Sequence, residues 1–189
     1  LPGWQHFRLR FPIMKELLRL SLPQMLSSAI INSGGLVVTR ITNSFGVVFV
    51  MGINAAGRYF SMLNVVGYGL ECAVLTYVGQ NWGAARKDRI RSGVRAANTL
   101  ALISSVVIAA VMLIFGRSIT MLFISREDMA LALEAGNTAY RYLCLMSVSL
   151  PVLYVLYVYM SALQGMGNTM IPMVSGIIEF VMRVGVAAV

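Results

Sequence analysis

Glu71 and Glu179 are carboxylates placed where a carboxylate is expensive, inside stretches of the chain that are otherwise apolar enough to lie in lipid. A charge at the bilayer midplane costs at least ~2.5–3.5 kcal/mol on insertion scales, so an acid at that depth faces a cavity, a counter-charge or an ion. The chemistry open to such a pair is the binding of a proton or a cation, because two acids in one site hold either between them. Counted at 1.5 Å per residue from the turns that border their stretches, Glu179 lies ~14 Å deep and Glu71 ~12 Å deep, similar enough for one site. Arg183 follows Glu179 at i, i+4, the favourable order for a helical ion pair, and a mutual bridge accounts for both residues without a further role. Glu71 has no Lys or Arg within a turn of it.

Other polar residues share faces with these acids. At about 100° per residue, Asn54, Arg58, Ser61, Asn64, Tyr68 and Glu71 fall within an arc of roughly 140°. Ala56, Leu63, Leu70 and Val74 lie opposite. The pattern predicts a helix with one wet or protein-facing stripe and one lipid-like side. In the stretch before it, Gln24, Ser28, Asn32, Gly35 and Thr39 fall within about 80°. Small residues and amides so spaced act as packing glue between membrane helices, and cavity lining by Asn32 is the sharper alternative. Tyr154 and Tyr157 lie deep in the fourth stretch, where phenol hydroxyls need partners; Tyr140 and Tyr142, near its end, fit an interfacial belt. The candidate cavity-lining residues are therefore Asn32, Asn54, Arg58, Asn64, Tyr68, Tyr154, Tyr157 and Arg183, beside Glu71 and Glu179 as the proton or cation site.

The elements that must hold these residues are five apolar stretches at about 22–43, 53–78, 94–115, 135–162 and 170–189. Each can cross a ~30 Å hydrocarbon core as a helix, and only helices satisfy every backbone group at these lengths in lipid. The fold class is all-α, a polytopic membrane helix bundle, preceded by a basic segment over 1–21. Pro23 is read as sitting near the start of the first helix, where its missing N–H does no harm. Phe45-Gly46 breaks that helix, Gly79 and Gly83 end the second, Gly116 ends the third, and Gln164-Gly165-Met166-Gly167-Asn168 turns into the fifth. Pro151 kinks the fourth. The chain opens on Leu1 and stops at Val189 inside the last stretch, as a piece of a larger membrane protein would.

Apolar residues make up 58% of the chain and charged ones 12%, about half the charged share of a soluble domain. Of the 15 Lys and Arg, nine fall in two clusters beside apolar stretches: Arg8, Arg10, Lys15 and Arg19, then Arg86, Lys87, Arg89, Arg91 and Arg95. That placement fits lipid-surface contacts with an anionic leaflet and excludes a nucleic-acid face. It also puts 1–21, 79–93 and 164–169 in the cytoplasm and 44–52 and 116–134 outside. Cys72 and Cys144 fit small apolar packing. His6 lies outside the stretches, and no Cys/His spacing suggests a metal or cofactor. A membrane enzyme would need a nucleophile, base or metal constellation, and the sequence offers none.

In order along the chain come Leu22-Pro23, Phe45-Gly46, Asn54-Ala55-Ala56 and Val78-Gly79-Gln80-Asn81-Trp82-Gly83-Ala84 with the basic run through Arg95. Leu122-Phe123, Leu163-Gln164-Gly165-Met166-Gly167-Asn168-Thr169, Pro172 and Ile178-Glu179-Phe180-Val181-Met182-Arg183 follow. Together they resemble the C-terminal half of a multidrug and toxic compound extrusion (MATE) transporter. The resemblance implies twelve helices in two six-helix lobes, of which this chain supplies helices seven to eleven. It further implies export of drugs or metabolites by alternating access in exchange for Na⁺ or H⁺, with the N-terminal lobe, the bilayer and a small-molecule substrate as partners. Many members carry a cation-binding acid in the seventh or tenth helix. Here the first and fourth stretches hold none, so Glu71 and Glu179 serve instead or coupling lies in the other lobe. A lipid-linked oligosaccharide flippase of the same superfamily and a non-transporting assembly subunit are the alternatives. A flippase groove wants several deep cations, and Arg58 and Arg183 are the deep ones here.

Overall fold

The computed structural model describes residues 11–124 and 128–187, and every element among them is a helix. In chain order these are α1 (Phe11–Ser44), α2 (Val47–Leu63), α3 (Val65–Gly83), α4 (Lys87–Thr120), α5 (Met129–Gly165) and α6 (Met170–Ala187). His6, Arg8, Arg10, Arg126 and Glu127 lie outside the described residues.

Turn chemistry sets the boundaries. Gly46 has φ 93° and Gly167 φ 80°, a left-handed conformation that glycine adopts without a Cβ clash. They end α1 and open the turn into α6 at the places the sequence marks. Asp128 caps α5, its carboxylate accepting from the backbone N–H of Ala130 at 2.9 Å and of Leu131 at 3.3 Å. Two expected boundaries fail. Gly116 does not end the third helix: α4 runs on to Thr120 with Gly116 buried against Leu143 and Tyr140 of α5. Pro23 is not at a helix start either, because α1 begins at Phe11 and carries Pro23 in its interior.

α5 is the axis of the bundle. It packs along α2, α3 and α4, while α1 and α6 pair with each other and touch the rest more lightly. Tyr154, Leu143 and Leu150 of α5 and Met112 of α4 are the largest fully buried side chains. Outside this core the flanks of α4 and α5 are apolar, with Val106 and Ile114 of α4 and Leu145, Val148 and Val152 of α5 more than half exposed, as a lipid-facing surface requires. Among the described residues α4 and α5 are each long and apolar enough to cross a membrane, with mean hydropathy 2.5 and 1.9 over their most apolar stretches. α1 does not reach that measure, because serines, amides and glycines between Gln24 and Gly35 dilute it.

The second stretch departs most from expectation. It is two helices, α2 and α3, bent by 42° at Asn64. Backbone bonding survives the bend, with the Asn64 N–H donating to Phe60 and the Tyr68 N–H to Asn64. The side opposite the polar arc is not lipid-facing either: Ala56 and Val74 are buried in the core. The reason is steric. A Cβ added at Gly52 would lie 2.6 Å from the Ala135 carbonyl oxygen, so glycine and the neighbouring alanines let α2 approach α5 more closely than a polar face could. The first stretch is rotated likewise. Ser28, Asn32 and Thr39 are exposed, and Ser27 and Gly34 form the buried seam against α6.

Candidate functional site

Four helices meet around a cavity of about 140 Å³. Each contributes residues at one helical face. Gln24, Ser27 and Ile31 come from α1, Glu71 from α3, Tyr157, Met160 and Gln164 from α5, and Pro172, Ser175, Gly176 and Glu179 from α6. The spacing i, i+3 and i+7 recurs on three of the four, so each helix presents a single stripe to the same space.

Glycine draws α1 and α6 together. A Cβ at Gly176 would fall 2.4 Å from the Ser27 hydroxyl oxygen, and one at Gly34 would fall 2.9 Å from the Phe180 ring. This close seam carries Glu179, one turn beyond Gly176, to the cavity wall. Glu71 reaches the same cavity from α3, beyond the bend at Asn64. The two carboxylates singled out in the sequence therefore share one cavity.

Their surroundings differ. Glu179 is bridged to Arg183 on its own helix, the ion pair expected from their spacing. Both side chains are well exposed, at 42% and 48%, and exposed pairs contribute about 0–1 kcal/mol. Glu71 makes no ion pair among the described residues. No Lys or Arg lines the cavity, and the Gln24 amide oxygen is buried there without a hydrogen-bond partner. An unpartnered acceptor costs about 1–3 kcal/mol when buried. The lining thus offers carboxylate, amide, phenol and hydroxyl oxygens to a small guest, a donor set that suits a proton or a hard cation. Among the described residues no group of three or more His, Cys, Asp or Glu could hold a metal ion.

Beside this cavity, at the bend, lies a second polar cluster. Asn64 is 2% and Tyr154 0% exposed, and neither the Asn64 amide oxygen nor the Tyr154 hydroxyl has a partner. Both approach Gly67, where an added Cβ would sit 3.1 Å from each oxygen. Tyr157 connects the two regions, its ring 6.1 Å from that of Tyr154.

The structure thus brings Glu71, Glu179 and Tyr157 together, places Asn64 and Tyr154 next to them, and ties Arg183 to Glu179. Asn32, Asn54, Arg58 and Tyr68 lie on exposed helix faces outside this cavity. Arg86, Lys87, Arg89, Arg91 and Arg95 are all exposed around the α3–α4 corner. Cys72 is exposed as well, not packed, and Cys144 is partly buried. The cavity residues that sequence reasoning missed are Ser27, Gln164 and Ser175. Gln24 was placed in a packing stripe. The signal that could have found them is the i, i+3, i+7 register shared by Gln24-Ser27-Ile31 and by Pro172-Ser175-Glu179.

No curated protein matches this chain. A family model, MatE, matches residues 23–189, which takes in all six helices except the first turns of α1. The match, the all-helical fold and the apolar surface agree, and the chain belongs to the MatE family of membrane transporters.

Proposed function

We propose that this chain works as part of a secondary antiporter that exports drugs or metabolites in exchange for Na⁺ or H⁺. Glu71 is the coupling group and Glu179 shares its cavity. The observation that supports this most directly is the meeting of two carboxylates and an unpartnered amide oxygen in one small cavity without a lining cation. A carboxylate so placed exchanges its counter-ion with little competition from fixed charge. Binding of a proton or Na⁺ neutralises Glu71, the acid with no ion-pair partner among the described residues, and so favours whichever arrangement of α1, α3, α5 and α6 buries it more deeply in the cavity, and release favours the other. Ligands shift such equilibria only through differential affinity for the two arrangements.

Alternating access requires one repeat to move against another around a site between them. In this reading the exposed Asn32, Asn54, Arg58 and Tyr68 face a second lobe of the same polypeptide and the small-molecule substrate. The N-terminus and the basic α3–α4 corner are cytoplasmic, in a multi-pass protein of the cell's inner membrane.

The test is Glu71→Gln in the full-length transporter reconstituted into liposomes. The amide keeps the size and cannot exchange a proton or hold Na⁺ by charge. Export driven by a Na⁺ or pH gradient should fall at least about tenfold, the loss that goes with ~1.4 kcal/mol of ion binding, while yield and elution profile stay as in the parent. Unchanged export with unchanged Na⁺ and pH dependence would make Glu71 structural and move coupling to another site.

A further inference from the structure

At the basic end of the bundle α3, α4 and α5 enclose a different cavity, of about 480 Å³. Lys87, Arg91 and Arg95 line it from one face of α4, spaced a turn apart, and Trp82 stands at its rim, 47% exposed. Beneath them Val94 of α4 and Ala162 and Leu163 of α5 make an apolar floor. No carboxylate lines the cavity, and none of the three cations forms an ion pair among the described residues. Like charges at i, i+4 repel weakly on a helix, a small cost that an anion beside the row relieves. Arg86 and Arg89, also exposed and basic, are not part of the lining.

The floor has a direction. Along the same face of α4 come Asn98, which also lines the cavity, and the exposed Thr99, and beyond them the exposed and apolar Leu102 and Val106, at 45% and 60%. A free anion would use only the cationic mouth and leave this apolar track empty. A molecule with an anionic head and an alkyl tail uses both. Trp at the rim marks the depth of the headgroup region.

We propose that this cavity binds one anionic phospholipid, its phosphodiester against Lys87, Arg91 and Arg95 and one acyl chain along the floor at Val94 and Leu163 toward Leu102. The site lies in the leaflet at the basic end of the bundle and is separate from the Glu71 cavity, so its test does not depend on transport.

The experiment is native mass spectrometry of the full-length transporter in detergent, titrated with phosphatidylglycerol or phosphatidylcholine of the same chains. A single phosphatidylglycerol adduct that outlasts phosphatidylcholine on collisional activation is expected. A basic residue at an anionic lipid surface contributes roughly fivefold in affinity, so Arg91→Gln/Arg95→Gln should weaken binding about 25-fold. Arg86→Gln/Arg89→Gln should leave it nearly unchanged, and Arg91→Lys/Arg95→Lys, which keeps both charges, should retain it and so show that folding is not the cause. Equal losses from both glutamine pairs would reduce the effect to diffuse surface charge and overturn the site. So would equal retention of the two lipids, or displacement of the adduct by millimolar inorganic phosphate, which would leave the acyl track without a role.

Discussion

Gly52 and Gly57 lie on the same helix and answer the same substitution in opposite ways. A Cβ at Gly52 would meet the Ala135 carbonyl oxygen at 2.6 Å, the Thr138 Cβ at 3.0 Å and the Ala139 nitrogen at 3.2 Å, whereas one at Gly57 meets nothing within 4 Å. Two of the three contacts at Gly52 are backbone atoms of α5, which cannot rotate away. Carbon approaches a carbonyl oxygen comfortably at about 3.3 Å, so Gly52→Ala must push α2 off α5 by roughly 0.7 Å. A gap of 0.5–1 Å forfeits about a quarter to a half of the dispersion energy across the seam, here the seam of Ala55, Ala56 and Tyr59, all at most 3% exposed. Overpacking of this kind costs about 1–3 kcal/mol, offset by up to about 1 kcal/mol of helix propensity. Gly57→Ala keeps the propensity gain and incurs no clash. For a chain of this size 1 kcal/mol moves Tm by roughly 2–4 °C. In an intrinsic-fluorescence melt in detergent, Gly52→Ala should therefore lose several degrees while Gly57→Ala holds or gains. A Gly52→Ala protein that melts at or above Gly57→Ala would refute the α2–α5 seam described here.

Two further predictions concern buried hydroxyls and topology. Tyr154→Phe removes a hydroxyl with no partner and should leave the melt unchanged or raise it, whereas Tyr59→Phe removes the hydroxyl that donates to the Val111 carbonyl at 3.3 Å and should cost about 0.5–1.5 kcal/mol. Equal destabilisation by both would mean that the Tyr154 hydroxyl has a partner. In a full-length background lacking Cys72 and Cys144, Asp128→Cys should react with an impermeant maleimide from outside and Asp88→Cys should not; the reverse pattern would invert the assigned orientation.

What was legible in the sequence follows from range. Turns are local, so Phe45-Gly46 and the Gln164–Asn168 turn were readable from φ-permissive glycines and their neighbours, and the i, i+4 bridge of Glu179 and Arg183 from spacing alone. The bend at Asn64 was not, because neither Gly nor Pro marks it and the apolar run continues through it without a change in composition. Helix facing was misread twice for one reason. Polarity shows which residues avoid lipid, but contact within a membrane bundle is decided by size. Gly52, Ala55 and Ala56 on α2 and Ser27 and Gly34 on α1 are the residues that permit close approach, and they lie off the polar stripes. Gly116 reads as a stop and Pro23 as a helix start, but packing on Leu143 and Tyr140 carries α4 past Gly116 and α1 begins at Phe11, twelve residues before Pro23. That Glu71 and Glu179 lie at similar depth was legible by counting residues, while the cavity they both line, with Gln164 and Ser175, became visible only once four helices were set around one space.

The misread faces also bear on what the lobe must contact. If α2 buried its polar arc against α5, its outer face would be apolar and could sit in lipid. Instead its small residues are buried, and Asn54, Arg58 and Ser61 are exposed. Arg58 stands eleven residues into α2, ~17 Å along its axis. Against hydrocarbon at that depth its charge alone would cost at least ~2.5–3.5 kcal/mol, and no carboxylate among the described residues pairs with it. That face is therefore unstable in lipid and stable against water or protein. The exposed Asn32 poses the same problem on α1, though an amide is less costly than a charge. A bundle with apolar flanks on α4 and α5 and a polar face on α2 suits two kinds of neighbour, lipid on one side and water or protein on the other. This asymmetry is the physical argument for the proposed substrate path at α2, apart from the proposed ion site at Glu71 beyond the bend.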